Sequence, residues 1–90
     1  MSIAEHGSSP ATVMISLRAF GPLTEKMPQD ATIALPLPLP VAAIRERLVS
    51  AYPLLREQPF RIAVDARLPG EDVVITEAEE IALLPPFAGG

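Results

Sequence analysis

The chain predicts an α+β domain: a small mixed sheet with one main helix on one of its faces. Three observations carry that expectation. Apolar, partly β-branched runs at Thr12 to Leu17, Ala31 to Leu35, Phe60 to Val64 and Ile81 to Leu84 have strand character. Only one segment, Val41 to Tyr52, repeats apolar residues at helical spacing. The chain has 90 residues, 49% of them hydrophobic, which suffices for one core and one domain.

Residues 1–11 read as a disordered leader, since Met1 to Pro10 is small, polar and punctuated by Gly, Ser and Pro. They have neither a basic start nor an apolar centre, so they are not a secretory signal. The domain is expected over residues 12–84, with residues 85–90 as a flexible tail. Thr12 to Leu17 suits a central strand covered on at least one face. Gly21-Pro22 breaks it, and after a polar stretch Ala31 to Leu35 restores strand character, so the two read as an antiparallel hairpin with a long loop.

Leu35-Pro36-Leu37-Pro38-Leu39-Pro40 alternates proline strictly, which forbids a helix or a central strand. It reads as a rigid extended connector whose leucines serve the core, with Pro40 at or near the first helical position. The other reading is a polyproline docking peptide. In the helix that follows, Val41, Ile44, Leu48 and Ala51 or Tyr52 share one face, Arg45, Glu46 and Arg47 read as a solvated face, and Pro53 ends it. Phe60 to Val64 is a third strand, Asp65-Ala66 a turn, Pro69 to Asp72 a loop, Val73 to Ile75 a short strand or connector, and Ile81 to Leu84 the last strand. Strands on either side of a helical crossover tend to be parallel, so the first and last strands can lie side by side at the sheet centre. That arrangement is the ubiquitin-like β-grasp, with a protruding C-terminal Gly-Gly tail.

Composition removes several function classes. With no cysteine there is no disulfide, no thiolate metal site and no side-chain sulfur chemistry. The single histidine, His6, lies in the leader, so no metal site or histidine triad is expected. Eleven acids against seven bases, a net charge of -4, argue against binding nucleic acid and suit a basic protein partner. No apolar run is long enough to span a membrane, and a cytoplasmic protein is expected.

The most informative segment is the last. Pro85-Pro86 stiffens the chain straight after an apolar strand, and Gly89 and Gly90, lacking Cβ atoms, can enter a channel too narrow for other residues. Extended, Pro85 to Gly90 would reach roughly 20 Å, far enough to deliver a carboxylate into another protein's active site.

Ile81-Ala82-Leu83-Leu84-Pro85-Pro86-Phe87-Ala88-Gly89-Gly90 resembles the terminal signature of the MoaD/ThiS sulfur-carrier family, and its proline pair is most like the small subunit of molybdopterin synthase. Leu17-Arg18-Ala19-Phe20-Gly21-Pro22-Leu23 and the helix Val41 to Leu48 are also similar to family patterns. There are three departures: Ala78 stands where the family has a glycine, Val64-Asp65-Ala66 replaces an Asn-Gly type of turn, and the Leu-Pro repeat is unusual. If the two turns needed positive φ, each alanine would cost about 1 kcal/mol.

The resemblance implies a carrier that is non-catalytic alone and binds no cofactor. An adenylating enzyme of the MoeB kind, using ATP and magnesium, would activate the Gly90 carboxylate. A sulfur donor would then leave a thiocarboxylate there. The tail, Pro85, Pro86, Phe87, Ala88 and Gly89, would insert into a MoaE-like large subunit, Phe87 plugging the channel mouth, so that sulfur passes to a pyranopterin precursor of the molybdenum cofactor. Arg18, Glu79 and Glu80 are candidate docking charges. The alternatives are a carrier for thiamine, cysteine or a thioacid natural product; a ubiquitin-like modifier, for which Lys26 would be the one lysine available for self-conjugation; and an interaction domain using the Leu-Pro segment.

Overall fold

The computed structural model describes residues 11–86. The expected leader and the tail residues Phe87, Ala88, Gly89 and Gly90 thus fall outside the described residues, save residue 11. Strand β1 (Ala11–Ala19) alternates cleanly: Val13, Ile15, Leu17 and Ala19 turn toward the core, while Thr12, Met14, Ser16 and Arg18 face outward. It pairs antiparallel with β2 (Thr32–Leu37), Ile15 opposite Ile33, which is the expected hairpin.

The proline repeat takes part in this ladder. β2 runs through Pro36 to Leu37, further than the sequence alone defines, because it is an edge strand and needs backbone donors on one side only. Leu35 and Leu37 are buried in the core, as a connector with structural leucines requires. After a cis Leu37–Pro38 peptide, β3 (Leu39–Pro40) begins a second, two-stranded sheet.

Pro40 is the N-cap of α1 (Val41–Ala51), whose Val41, Ile44 and Leu48 are fully buried. No side chain caps this end. The first two orphan N–H groups are instead satisfied by the loop across from them: Val41 N–H donates to the Val73 carbonyl at 3.0 Å and Ala42 N–H to that of Glu71 at 2.9 Å. Tyr52 closes the helix, its N–H donating to the Leu48 carbonyl at 2.9 Å and its hydroxyl to the Thr32 carbonyl on β2 at 2.7 Å. A 3-10 helix, Pro53–Glu57, follows and buries Leu55.

Arg45 corrects the expectation of a solvated charged face. Its guanidinium forks onto Glu71, with nitrogen–oxygen distances of 3.1 and 2.7 Å, donates to the Phe60 carbonyl at 2.7 Å, and stacks on the Phe60 ring 4.7 Å from its centre. One side chain thereby ties the helix to two segments that follow it. Glu46 and Arg47 are exposed as expected.

β4 (Arg61–Val64) ends in a tight turn at Asp65 and Ala66, closed by paired backbone hydrogen bonds between Val64 and Arg67. Both turn residues have positive φ, 47° and 68°, the signature of a type I′ turn. The strained alanine foreseen at this turn is therefore present. Ala78 is not strained: its φ is not positive, and it is buried in the core cluster. β5 (Val74–Ile75) pairs with β3.

β6 (Glu80–Leu84) completes the main sheet in the order β2-β1-β6-β4. It lies parallel to β1, Leu17 opposite Ile81, and antiparallel to β4, Ile62 opposite Leu83. Ile81 and Leu83 are wholly buried. The first and last strands are thus side by side at the centre, and the architecture is a β-grasp. No helix among the described residues is long and apolar enough to cross a membrane.

Candidate functional site

The candidate site grows out of the end of β6. A central strand is held by ladders on both edges, so the chain leaving it has a fixed root. Here the fixation continues beyond the ladder. Phe20 N–H donates to the Leu83 carbonyl at 3.0 Å, and Pro85 is buried while Pro86, at a turn, is exposed. Of the expected tail residues, these two prolines are the ones whose positions the structure describes.

Pro85 has a specific seat. The chain leaving β1 passes through Gly21, at φ 60°, into a 3-10 helix, Gly21–Glu25, with Leu23 buried beneath it and the Thr24 hydroxyl donating to the Gly21 carbonyl at 2.8 Å. A Cβ placed on Gly21 would stand 2.9 Å from Pro85 Cγ. The glycine is therefore required twice, by its backbone angle and by the ring packed on it. The β1–β6 register accounts for the meeting. Ala19 is opposite Leu83, and Gly21 and Pro85 each lie two residues further on.

The expected docking charges divide. Arg18 and Glu80 approach each other to 3.9 Å on the exposed outer face of the sheet, and the Arg18 guanidinium lies over the Phe20 ring, 5.3 Å from its centre. A pair this exposed contributes little stability, and each charge partly neutralises the other. Glu79 is bound through its backbone. Its N–H and that of Glu80 both donate to Asp65 Oδ1, at 3.0 and 2.9 Å, which fixes the start of β6 to the β4 turn. Asp65 thus holds one end of β6 and the Gly21 seat the other.

A cleft of about 710 Å³ lies between β1 and the loop before β2, lined by Ser16, Arg18, Thr24, Asp30, Thr32 and Glu80 among others. It contains no histidine or cysteine that could activate Ser16 or Thr24, and among the described residues no three metal-ligating side chains converge. What the described geometry offers is an anchored, directed exit for the chain after Pro86.

Sequence reasoning read Gly21 only as a strand break and Asp65 only as a turn residue. The signal for Gly21 lay in the strand order, since parallel neighbours bring the residues following them to the same end of the sheet. Asp65 gave no local signal, because the amides it binds are 14 and 15 residues away.

The ThiS family model matches residues 17–90. Among solved structures, the chain is similar to SAMP1 from Haloferax volcanii, with a TM-score of 0.64 and 20% identity over 87% of this chain and 100% of that one. A second structure, described as small archaeal modifier protein 1 of the same organism, gives a TM-score of 0.64 and 18% identity over 81% and 97%. No curated protein sequence matches.

Proposed function

The chain belongs to the ThiS family of ubiquitin-like sulfur carriers, and from that premise we propose that Gly90 carries sulfur as a C-terminal thiocarboxylate for molybdopterin synthesis. The observation behind this reading is a family match that runs through Pro85-Pro86-Phe87-Ala88-Gly89-Gly90, attached to a strand locked into the middle of the sheet.

The chemistry follows from the poor reactivity of a carboxylate. An adenylating partner of the MoeB kind, holding ATP and magnesium, joins the Gly90 carboxylate oxygen to the α-phosphate and releases pyrophosphate. A sulfide-level donor then attacks the acyl carbon, AMP leaves, and sulfur remains on Gly90. The thiocarboxylate is ionised at neutral pH because its charge is delocalised, unlike a free thiol with a pKa of about 8.5. No base on this chain is required, which suits a protein without cysteine.

This chain's own part is to bind and orient. β6 anchors the root, Pro85 and Pro86 direct it, and Phe87 plugs the mouth of a channel in a MoaE-like large subunit. Ala88 and Gly89 pass through, and Gly90 meets the pyranopterin precursor. The net charge of -4 favours basic protein partners over nucleic acid.

A second reading is favoured by the names of the similar structures, which describe a modifier. In it, Gly90 forms an isopeptide bond with a lysine of another protein. Intact-mass measurement after incubation with ATP, the adenylating enzyme and sulfide separates the two. A carrier gains the mass difference of sulfur for oxygen, and a chain lacking Gly90 does not. Sulfur transfer to the precursor in the presence of the large subunit supports the molybdopterin pathway. A large subunit that leaves the thiocarboxylate untouched assigns the carrier elsewhere, and mass adducts on host proteins without any thiocarboxylate favour the modifier.

A further inference from the structure

We propose that Gly21 is a positioning residue for the carrier terminus: its missing side chain is the seat of Pro85, and occupancy of that seat sets the direction in which the tail leaves the body. The inference rests on the sulfur-carrier reading for its functional consequence, though not for its geometry.

Gly21 could have been no more than a turn residue. At φ 60° a glycine relieves backbone strain, and asparagine would serve almost as well. The second constraint is different in kind. The 2.9 Å separation between a Gly21 Cβ and Pro85 Cγ is a contact that real Cβ atoms do not make, and it is independent of φ preference. The neighbour is a proline ring closed onto its own backbone, so beyond a change of pucker its Cγ cannot swing aside. Any side chain at Gly21 therefore displaces Pro85 or the start of the 3-10 helix. That helix is held by buried Leu23 and by the Thr24 hydroxyl on the Gly21 carbonyl, whereas Pro85 lies just past the end of β6 at Leu84 and is not in the ladder. Pro85 is the side that yields.

Displacement of Pro85 is transmitted efficiently. Proline fixes its own φ near about -65°, and a residue before proline is confined to extended angles. Leu84 and Pro85 both precede a proline, and Pro85 and Pro86 both are one, so the segment is a short stiff lever between β6 and the tail. With Pro85 seated, the free reach begins at Pro86 and is about 16 Å for five residues; unseated, it begins one residue earlier and spans about 20 Å in an altered direction. A carboxylate that must enter an adenylation site is sensitive to that change, because a misplacement of about 1 Å from a remote substitution can cost on the order of a hundredfold in rate.

The test is a double-mutant cycle on the full chain with Gly21→Asn, Pro85→Ala and both together. Asparagine tolerates the left-handed angle, so Gly21→Asn adds the obstruction with little backbone strain. Two measurements are made on each protein. Residual dipolar couplings compare the Leu84 amide with the Cα–Hα bond of Pro86. The expected result for Gly21→Asn is an unchanged Leu84 and a reoriented Pro86, restored toward the parent value when Pro85→Ala is added. ATP–pyrophosphate exchange with the adenylating enzyme gives the kinetic readout. For Gly21→Asn, kcat is expected to fall roughly tenfold with KM held within about twofold, because docking is intact and placement of the reacting group is not.

The double variant should recover most of the loss, so that the two effects fail to multiply. Multiplying effects, or a Gly21→Asn protein whose Pro86 orientation and kcat both match the parent, overturn the proposal. If Gly21→Asn fails to fold, refolding on addition of Pro85→Ala upholds the contact, and a double variant that remains unfolded overturns it. If the parent chain is not adenylated at all, the carrier reading falls, and the dipolar couplings still decide whether Gly21 orients Pro86.

Discussion

Ala66 is the residue at which local preference and fold disagree most openly. An alanine at φ 68° sits in the left-handed region, which costs an L-residue roughly 1–2 kcal/mol, while glycine there gives back about 0.5–1 kcal/mol of unfolded-state entropy. Ala66→Gly is therefore expected to stabilise the protein by up to about 1 kcal/mol, read from the urea midpoint at constant slope. Arg45 carries the second residue-scale prediction. Its hydrogen bonds to Glu71, and secondarily its charge, hold the Glu71 carboxyl below the ordinary value of 4.5 in spite of some desolvation that acts the other way. A carboxyl depressed in the folded state gives its full contribution above 4.5 and loses it as pH falls below 4.5 through the lowered value. Glu71 is mostly solvent-exposed, so the effect is modest. Stability measured across acidic pH should drop more steeply for the parent than for Arg45→Met. Neither feature was fully legible in the sequence. Asp65-Ala66 was readable as a turn, but Arg45 binds partners 15 and 26 residues away, which no local pattern encodes.

Among the elements, legibility follows the range of the forces that shape them. Period-two burial in β1 and the Val41, Ile44, Leu48 stripe of α1 depend on which face meets the core, and both could be read directly. The reach of β2 into the Leu-Pro repeat could not, because whether proline is tolerated depends on the strand lying at an edge, a property of the assembled sheet. Burial at this scale gives a sharp contrast. Leu83→Ala, at a fully buried position on the central β6, is expected to cost about 2–5 kcal/mol. Met14→Ala, on the outer face and 67% exposed, should stay within about 0.5 kcal/mol. Chemical denaturation of the two variants checks both figures. A Leu83 variant near the parent would mean that β6 is not the structural centre.

At the scale of the molecule, the parallel β1–β6 pair makes the carrier's business end a continuation of its core. Deleting Gly90 is expected to abolish sulfur loading while leaving the unfolding midpoint in place, which separates chemistry from folding in a single variant. The order of elements and the tail motif were legible because both are patterns along the chain. The Gly21–Pro85 contact was not, since it joins segments more than sixty residues apart through a register that the folded sheet alone establishes. The same strand placement has a temporal side. β6 is the last strand among the described residues, yet it is hydrogen-bonded between β1 and β4, which it alone joins in the sheet order. Contacts between distant parts of a chain form slowly, because a long loop must close before they repay its entropy. Without β6 the main sheet reduces to the β1–β2 hairpin and a β4 with no partner strand, and there is no root from which a tail could be presented. An activating enzyme that selects the directed root would thereby select molecules in which β6 has already found its place between β1 and β4.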